Sequence, residues 1–241
     1  MKISVIVPAF NEEKLIGASL QSMRAAMESF VQRGWETELI VCDNNSTDRT
    51  AELARAAGAK VVFEPVNQIA RARNTGAAAA TGDWFVFVDA DSHPSPELIS
   101  EVADCIARGG CIGGGCTVQL DERHRMAEFL TMGWNMLSRA RRWVAGSFIF
   151  CQRTAFETVG GFSNELFASE EIDFSIKLNK LAKADGRRVI ILHRHPLVTS
   201  ARKLKLYSRG EWLGFARKAI SNPRGTIKSR ESCSPWYDGR R

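Results

Sequence analysis

Asp83-Trp84-Phe85-Val86-Phe87-Val88-Asp89-Ala90-Asp91 decides how the rest of this 241-residue chain reads. The unbroken apolar run from Trp84 to Val88 suits a fully buried strand. The breaker cluster Ser92-His93-Pro94-Ser95-Pro96 ends it, so two carboxylates stand where a strand runs into a loop. Acids one residue apart at such a point suit the capture of a hard divalent cation carrying a diphosphate, since magnesium and manganese take oxygen ligands and keep positions open for phosphate. An isolated Asp-x-Asp equally suits a loop whose acids meet only water. The surrounding sequence decides between the two.

Upstream, Lys2-Ile3-Ser4-Val5-Ile6-Val7-Pro8 is a short β-branched run, and Ala9-Phe10-Asn11-Glu12-Glu13 opens an amphipathic segment to about Arg33. A second run, Glu38 to Cys42, ends in Asp43-Asn44-Asn45-Ser46-Thr47-Asp48, whose side chains favour a turn and a helix cap. A helix follows from Arg49 to Ala57, then a strand from Lys60 to Phe63, then a helix from Gln68 to Ala80 closed by Thr81-Gly82. Strands alternating with helices across short turns predict a mainly parallel sheet covered by helices. In such sheets ligands bind beyond the carboxyl ends of the strands, where Pro8 to Glu12, Asp43 and Asp89 to Asp91 all fall.

Four segments in order resemble the signatures of the family 2 glycosyltransferases: Ser4 to Glu12, Asp43 to Asp48, Arg71-Ala72-Arg73-Asn74-Thr75-Gly76, and Asp83 to Asp91. The likeness is dense to about residue 107 and returns at Gly160-Gly161-Phe162 and Glu170-Glu171-Ile172-Asp173-Phe174. It implies an α/β fold of GT-A type, a Rossmann-like sheet flanked by helices with a smaller acceptor-side region. It implies a nucleoside-diphosphate sugar as donor and a divalent metal, Mn2+ or Mg2+, as cofactor. Pro8, Ala9, Glu12 and Asp43 would then hold base and ribose, Arg73 would steady the donor, Asp89 and Ala90 would touch ribose or phosphate, and Asp91 would ligate the metal, with Asp89 beside it. Many relatives have two acids where this chain has Asp43-Asn44, so one carboxylate is missing from the base site.

Glu170-Glu171-Ile172-Asp173 enters a helix running through Phe174, Ile176, Leu178 and Leu181. Clustered acids raise one another's pKa, which suits one of them to general-base work near neutrality, although acids at a helix start are also ordinary partners of the helix dipole. The resemblance selects the base: Glu171 matches the second acid of the family's pair, with Glu in place of the commoner Asp, and Glu170 stands in reserve. The implied reaction is a single displacement that inverts the anomeric centre. A polyprenyl phosphate acceptor would need no base and would shift weight to the basic C-terminal segment. In some GT-A enzymes a C-terminal histidine completes the metal shell, which makes His193 and His195 candidates; as strand-end histidines they also suit surface or packing roles. Thr199-Ser200-Ala201-Arg202-Lys203 reads as a loop able to close on a diphosphate through Arg202.

Between these motifs, Ser95 and Pro96 cap and begin a helix to about Ala107. Gly109-Gly110 and Gly113-Gly114-Gly115 then flank a small-residue strand, without the lysine and hydroxyl of a P-loop. Met126, Phe129, Leu130, Trp134 and Leu137 recur at helical spacing and read as packing. Trp143 to Cys151 reads as a buried strand, with Gly146-Ser147 open to close approach by a substrate.

With 44% hydrophobic residues and no break in composition, the chain reads as one domain: residues 1–107 as a nucleotide-sugar half, 108–186 as an acceptor and catalytic half, and 187–241 as a basic segment. That last segment carries fourteen Lys and Arg against three acids, a balance of +11 within a total of +6. Such a segment suits an anionic membrane face, a lid on the diphosphate, or a solvated tail; in the first case Trp212, Phe215, Ala216 and Ile220 form the apolar side of a basic helix. No nucleic-acid-binding signature accompanies the charge. Six cysteines without a C-x-x-C pair predict buried thiols in a reducing cytoplasm and no zinc site. No apolar run approaches the roughly 18 residues of a membrane span, and Met1-Lys2 enters a strand without a leader pattern, so a cytoplasmic place is expected, free or peripheral on the inner membrane face. The acceptor, whether saccharide, lipid or polyprenyl phosphate, is not legible. A non-catalytic nucleotide-binding protein of the same fold need not keep Asp91 together with Glu171. A nucleotidyltransferase should show a glycine-rich basic loop where this chain has Pro8-Ala9-Phe10-Asn11-Glu12.

Overall fold

Lys2–Ala9 forms β1 and pairs in parallel with β2 (Glu36–Asp43) on one side and β4 (Trp84–Val88) on the other. β3 (Lys60–Phe63) adds to the outside of β2, also in parallel. The crossovers are α1 (Ile16–Val31), α2 (Thr50–Ala56) and α3 (Ile69–Ala78). The buried strand residues Val5, Val7, Val41, Val86 and Val88 share one core with Leu20, Met23 and Phe30 of α1. Burying such side chains is worth roughly 1.5–3 kcal/mol each, which is what holds these short helices to the sheet. This computed structural model describes the chain apart from residues 123–124, 203–205, 208–209, 212–213, 215–216, 219–220, 234–236 and 238–241. The basic helix read around Trp212, Phe215, Ala216 and Ile220 therefore has its apolar side outside the described residues.

Beyond β4 the sheet turns mixed. After β5 (Ser92–His93) and α4 (Pro96–Arg108), β6 (Cys111–Leu120) leads into α5 (Arg125–Arg141), and β7 (Phe148–Gln152) into α6 (Arg153–Val159). α7 (Glu170–Ala184) precedes β8 (Arg188–Thr199), and α8 (Pro223–Ile227) lies near the C-terminus. The eight strands run in the order β3-β2-β1-β4-β7-β6-β8-β5. β7 is antiparallel to both β4 and β6, β8 is parallel to β6, and β5 is antiparallel to β8. The α/β architecture expected from the sequence is present: parallel through β4, mixed beyond it.

Four readings of the sequence need correction. Gly113-Gly114-Gly115 lie inside β6 rather than beside it, because the neighbouring strands approach there: a Cβ on Gly114 would sit 2.0 Å from the Ile190 carbonyl oxygen. Trp143 to Cys151 is not one strand. Residues 143–147 form a loop, and the Ser147 carbonyl accepts from the Asp89 amide at 3.2 Å. The segment from Arg187 onward is more than a tail, since β8 buries Val189 and Leu197 in the sheet and Cys233 and Tyr237 are buried beyond it. Lastly, the apolar spacing of α5 is not packing. Phe129, Met126 and Leu130 are 69%, 68% and 64% exposed, while α5 meets β6 through the Asn135 amide, which bonds the Val118 N–H and C=O at 3.0 and 2.9 Å. All six cysteines are free and buried, as expected.

Candidate active site

Three strand ends and two loops build the cleft. β1 ends at Ala9 directly opposite Asp43 of β2, and β4 delivers Asp89, Ala90 and Asp91 beside them. The loop after β1 is stitched to the loop after β2. The Asn11 N–H donates to Ser46 Oγ at 3.0 Å, the Thr47 N–H to Asn11 Oδ1 at 2.8 Å, and the Glu12 N–H to Thr50 Oγ1 at 2.7 Å. Asn11 takes a φ of 53°, a left-handed conformation that asparagine tolerates. Pro8, Ala9, Glu12, Asp89, Ala90, Asp91 and Arg202 all line the cleft, together with Phe10, Asn44, Asn67 and Ile69.

Asp43 is buried and is not part of this lining. Its Oδ1 accepts from the Ser46 N–H at 3.1 Å, so the capped turn read from the sequence is present. Asn44, where the family resemblance leads one to expect an acid, works as an amide. Its Nδ2 donates to the carbonyls of Glu64 and Val66 at 3.3 and 2.6 Å, and its Oδ1 accepts from the Gln68 N–H at 2.9 Å. A carboxylate could not donate to those two carbonyls. Asn44 thus ties the loop before α3 to the end of β2.

Arg73 of α3 is buried at 2% exposure beneath the cleft. It donates to Glu170 Oε1 at 2.7 Å, to Asp89 Oδ1 at 3.1 Å and to the Gly146 carbonyl at 2.8 Å, and its guanidinium stacks 5.2 Å from the centre of the Phe162 ring. Burial disfavours its charge, but Asp89, Glu170 and Glu171 more than offset that and hold it cationic. α3 also grips the loop before α7: Asn74 bonds the Phe162 carbonyl at 2.9 Å and the Phe162 N–H at 3.0 Å.

Glu171, half-buried, packs on Gly146; a Cβ there would sit 3.7 Å from the Glu171 carboxyl carbon and 3.3 Å from Arg73 Nη2. Burial first, then the charge of Glu170, push the Glu171 carboxyl from its ordinary 4.5 to about 8, with Arg73 pulling the other way. The two acids that the sequence presents as alternates therefore differ. Glu170 is spent on Arg73, and Glu171 keeps a raised proton affinity of the kind a base near neutrality needs.

Arg202, just past β8, reaches into the cleft, where its Nη2 bonds Glu12 Oε1 and lies 3.3 Å from Asp91 Oδ2. Its segment is anchored on both sides: the Ser200 N–H donates to the Asp91 carbonyl at 3.3 Å and the Ala201 N–H to Asp121 Oδ1 at 2.8 Å. The histidines are elsewhere. His195 Nδ1 lies 3.5 Å from Glu101 of α4, His193 lines pockets against α4 and α5, and neither lines the cleft. Residues 193–196 fall at the register shift of β8 against β6, and the structure does not bring His193 or His195 to Asp91. Asp89 pairs with the buried Arg73 and Asp91 with Arg202, so each carboxylate of the Asp-x-Asp pair already has a cationic partner at the cleft.

Sequence reasoning missed Phe10, Asn67 and Ile69. Asn67 could have been found from its place between β3 and α3, at a strand's carboxyl end. Tyr237, buried with its hydroxyl 3.4 Å from the Ile69 N–H, has no local signal at all.

The model of Glycosyl transferase family 2 matches residues 4–163. A dolichol-phosphate mannosyltransferase of Pyrococcus furiosus is 33% identical over 123 residues, 48% of this chain and 33% of that protein. A glucosyl-3-phosphoglycerate synthase of Mycolicibacterium smegmatis is 35% identical over 109 residues, 42% of this chain and 34% of that protein. The chain thus spans about a third of the length of these curated relatives. Among solved structures, a mannosyltransferase of Pyrobaculum calidifontis in complex with GDP-Man and Mn2+ superposes with a TM-score of 0.67 at 22% identity, covering 98% of this chain and 68% of that one. The glucosyl-3-phosphoglycerate synthase of Mycobacterium tuberculosis, in complex with Mn2+, UDP and glucosyl-3-phosphoglycerate, gives 0.65 at 22% identity, covering 91% and 77%. These superpositions establish the fold.

Proposed function

The chain belongs to glycosyl transferase family 2, and on that premise we propose that it transfers a sugar from a nucleoside-diphosphate donor to an acceptor hydroxyl, with inversion and with a divalent metal at Asp91. The observation that carries this reading is that one cleft is lined by Pro8, Ala9, Glu12, Asp89, Ala90, Asp91 and Arg202. Residues 1–107 supply its donor side and residues 108–186 its acceptor side. Asp43 and the stitched loops after β1 and β2 would hold base and ribose.

The residues fit a metal that substrate completes. Asp91 already faces a cation, the Arg202 guanidinium, and no three His, Cys, Asp or Glu side chains are grouped to hold a metal among the described residues. Mg2+ and Mn2+ commonly sit on one or two carboxylates with phosphate oxygens filling the shell. Bound there, the ion would neutralise charge gathering on the departing nucleoside diphosphate. Arg202 would exchange its carboxylate partners for diphosphate oxygens. Arg73 fixes Asp89 and Glu170, and so sets the floor of the site and the start of α7. Glu171, with its raised pKa, would take the proton of the acceptor hydroxyl as that oxygen attacks the anomeric carbon from the face opposite the leaving group.

A thermal-shift screen of nucleoside diphosphates and their sugars, with Mn2+ or Mg2+, tests this. Wild type should be stabilised by at least one of them only when metal is present, and Asp91→Asn should lose that dependence while keeping its unliganded Tm. Equal stabilisation of both proteins, or of neither, would count against the assignment.

A further inference from the structure

We propose that the outward face of α5 docks on an anionic lipid bilayer, and that the acceptor is presented from that surface; the second clause rests on the transferase reading above. α5 is built inside out. At 100° per residue, Met126, Phe129, Leu130, Gly133 and Leu137 share one side of the helix, and Ala127, Thr131, Asn135 and Ser138 the opposite side. The small and polar side is the one held by the protein: Ala127 and Ser138 are buried and Asn135 bonds β6. The large apolar side faces away, with Met132 and Met136 at its margin, 55% and 66% exposed. A continuous apolar stripe on an outer helix marks an interaction site rather than chance exposure.

Charge decides what covers it. Glu128 is the one acid in the sequence of α5, against arginines at 125, 139 and 141, with Arg142 next. Arg139, Arg141 and Arg142 are exposed, and the pocket at this end of the helix is lined by Arg141, Arg142, Lys183 and Arg187 without a carboxylate. Apolar face and basic flank together suit an interfacial helix lying on anionic headgroups. A second copy laid in parallel on the same face would bring arginine against arginine, whereas anionic headgroups would neutralise them. The position also serves the chemistry. Asp121, just before α5, holds the Ala201 N–H beside Arg202, and the chain after α5 leads to Gly146 against Arg73 and Glu171. A bilayer on α5 would therefore rest on an element joined through its flanking segments to the loops that hold Arg202, Arg73 and Glu171.

The test is co-sedimentation of the full chain with vesicles of phosphatidylcholine alone and of phosphatidylcholine with phosphatidylglycerol, for wild type and Phe129→Glu/Leu130→Glu. Both side chains are exposed, so the variant should fold, and circular dichroism with nucleoside-diphosphate binding in Mn2+ checks the site. Wild type should bind the anionic vesicles, less as salt rises, and the variant should bind at least about tenfold more weakly, the loss of two buried apolar anchors. Undiminished binding by the variant would place the contact on another surface and overturn the proposal. No vesicle binding, with a wild-type dimer that the variant breaks, would overturn it in favour of a second copy. Vesicle binding that depends on α5, in a protein that binds no nucleotide, would leave the docking face standing and remove the transferase reading instead.

Discussion

Arg73 Nη1 donates to Glu170 Oε1 at 2.7 Å, and this buried bond separates the roles of two adjacent acids. Both stand at the start of α7, where either could serve as a dipole partner or as a base. Because Arg73 also holds Asp89 and the Gly146 carbonyl, one guanidinium links the end of β4, the loop before β7 and the start of α7. Glu170 is then structural, and the Glu171 carboxyl has its proton affinity raised by burial and by the charge of Glu170.

Removing that guanidinium should be costly. Arg73→Met would leave the Glu170 carboxylate buried without its partner, and breaking a buried pair from one side typically costs about 3–5 kcal/mol. Urea unfolding should show this as a lower midpoint. A loss below about 1 kcal/mol would mean that the pair is solvated in solution.

Glu171 gives a pH signature. Its folded pKa, about 8, exceeds its ordinary 4.5, so the folded state holds a proton that the unfolded chain releases between those values. The stability that this group contributes is therefore fully present below about 4.5 and lost as pH rises through about 8. Glu171→Gln escapes that loss, so its Tm should exceed the wild-type Tm above pH 8 and converge with it toward pH 4.5. Parallel Tm curves across that range would show that the carboxyl titrates normally.

Asn44→Asp tests the amide at this position. The substitution supplies the second acid that the family resemblance leads one to expect but removes the two donors that hold the Glu64 and Val66 carbonyls, in a residue 2% exposed. Leaving buried groups unsatisfied costs about 1–3 kcal/mol. The variant should lose stability without gaining nucleotide affinity. Tighter nucleotide binding at unchanged stability would show that position 44 reads the base directly.

The first four strands were legible because their signals are local. β3 was read at its observed bounds, the Ser95 cap accepts from the Leu98 N–H as its sequence implies, and three strand ends carry the motifs that line the cleft. Elsewhere the signal was real but incomplete. Periodicity gave α5 an apolar face and could not say whether protein covers it, because spacing fixes a face and not its partner. Gly113-Gly114-Gly115 looked like punctuation, since the crowding by Ile190 and Phe150 that demands glycine comes from strands distant in sequence. The place of His193 and His195 away from the cleft was hidden for a similar reason: they fall at a register shift of β8 on β6 that no local pattern announces.

The division between Glu170 and Glu171 is tested most directly by the turnover of Glu171→Gln, measured beside its donor affinity, once a donor and acceptor are in hand. The amide keeps the shape of the side chain but cannot take a proton. Turnover should fall by roughly 10²- to 10⁴-fold, the usual worth of general-base catalysis, with donor affinity little changed. Near-normal turnover in Glu171→Gln would contradict the assignment of the base, whatever Glu170→Gln does.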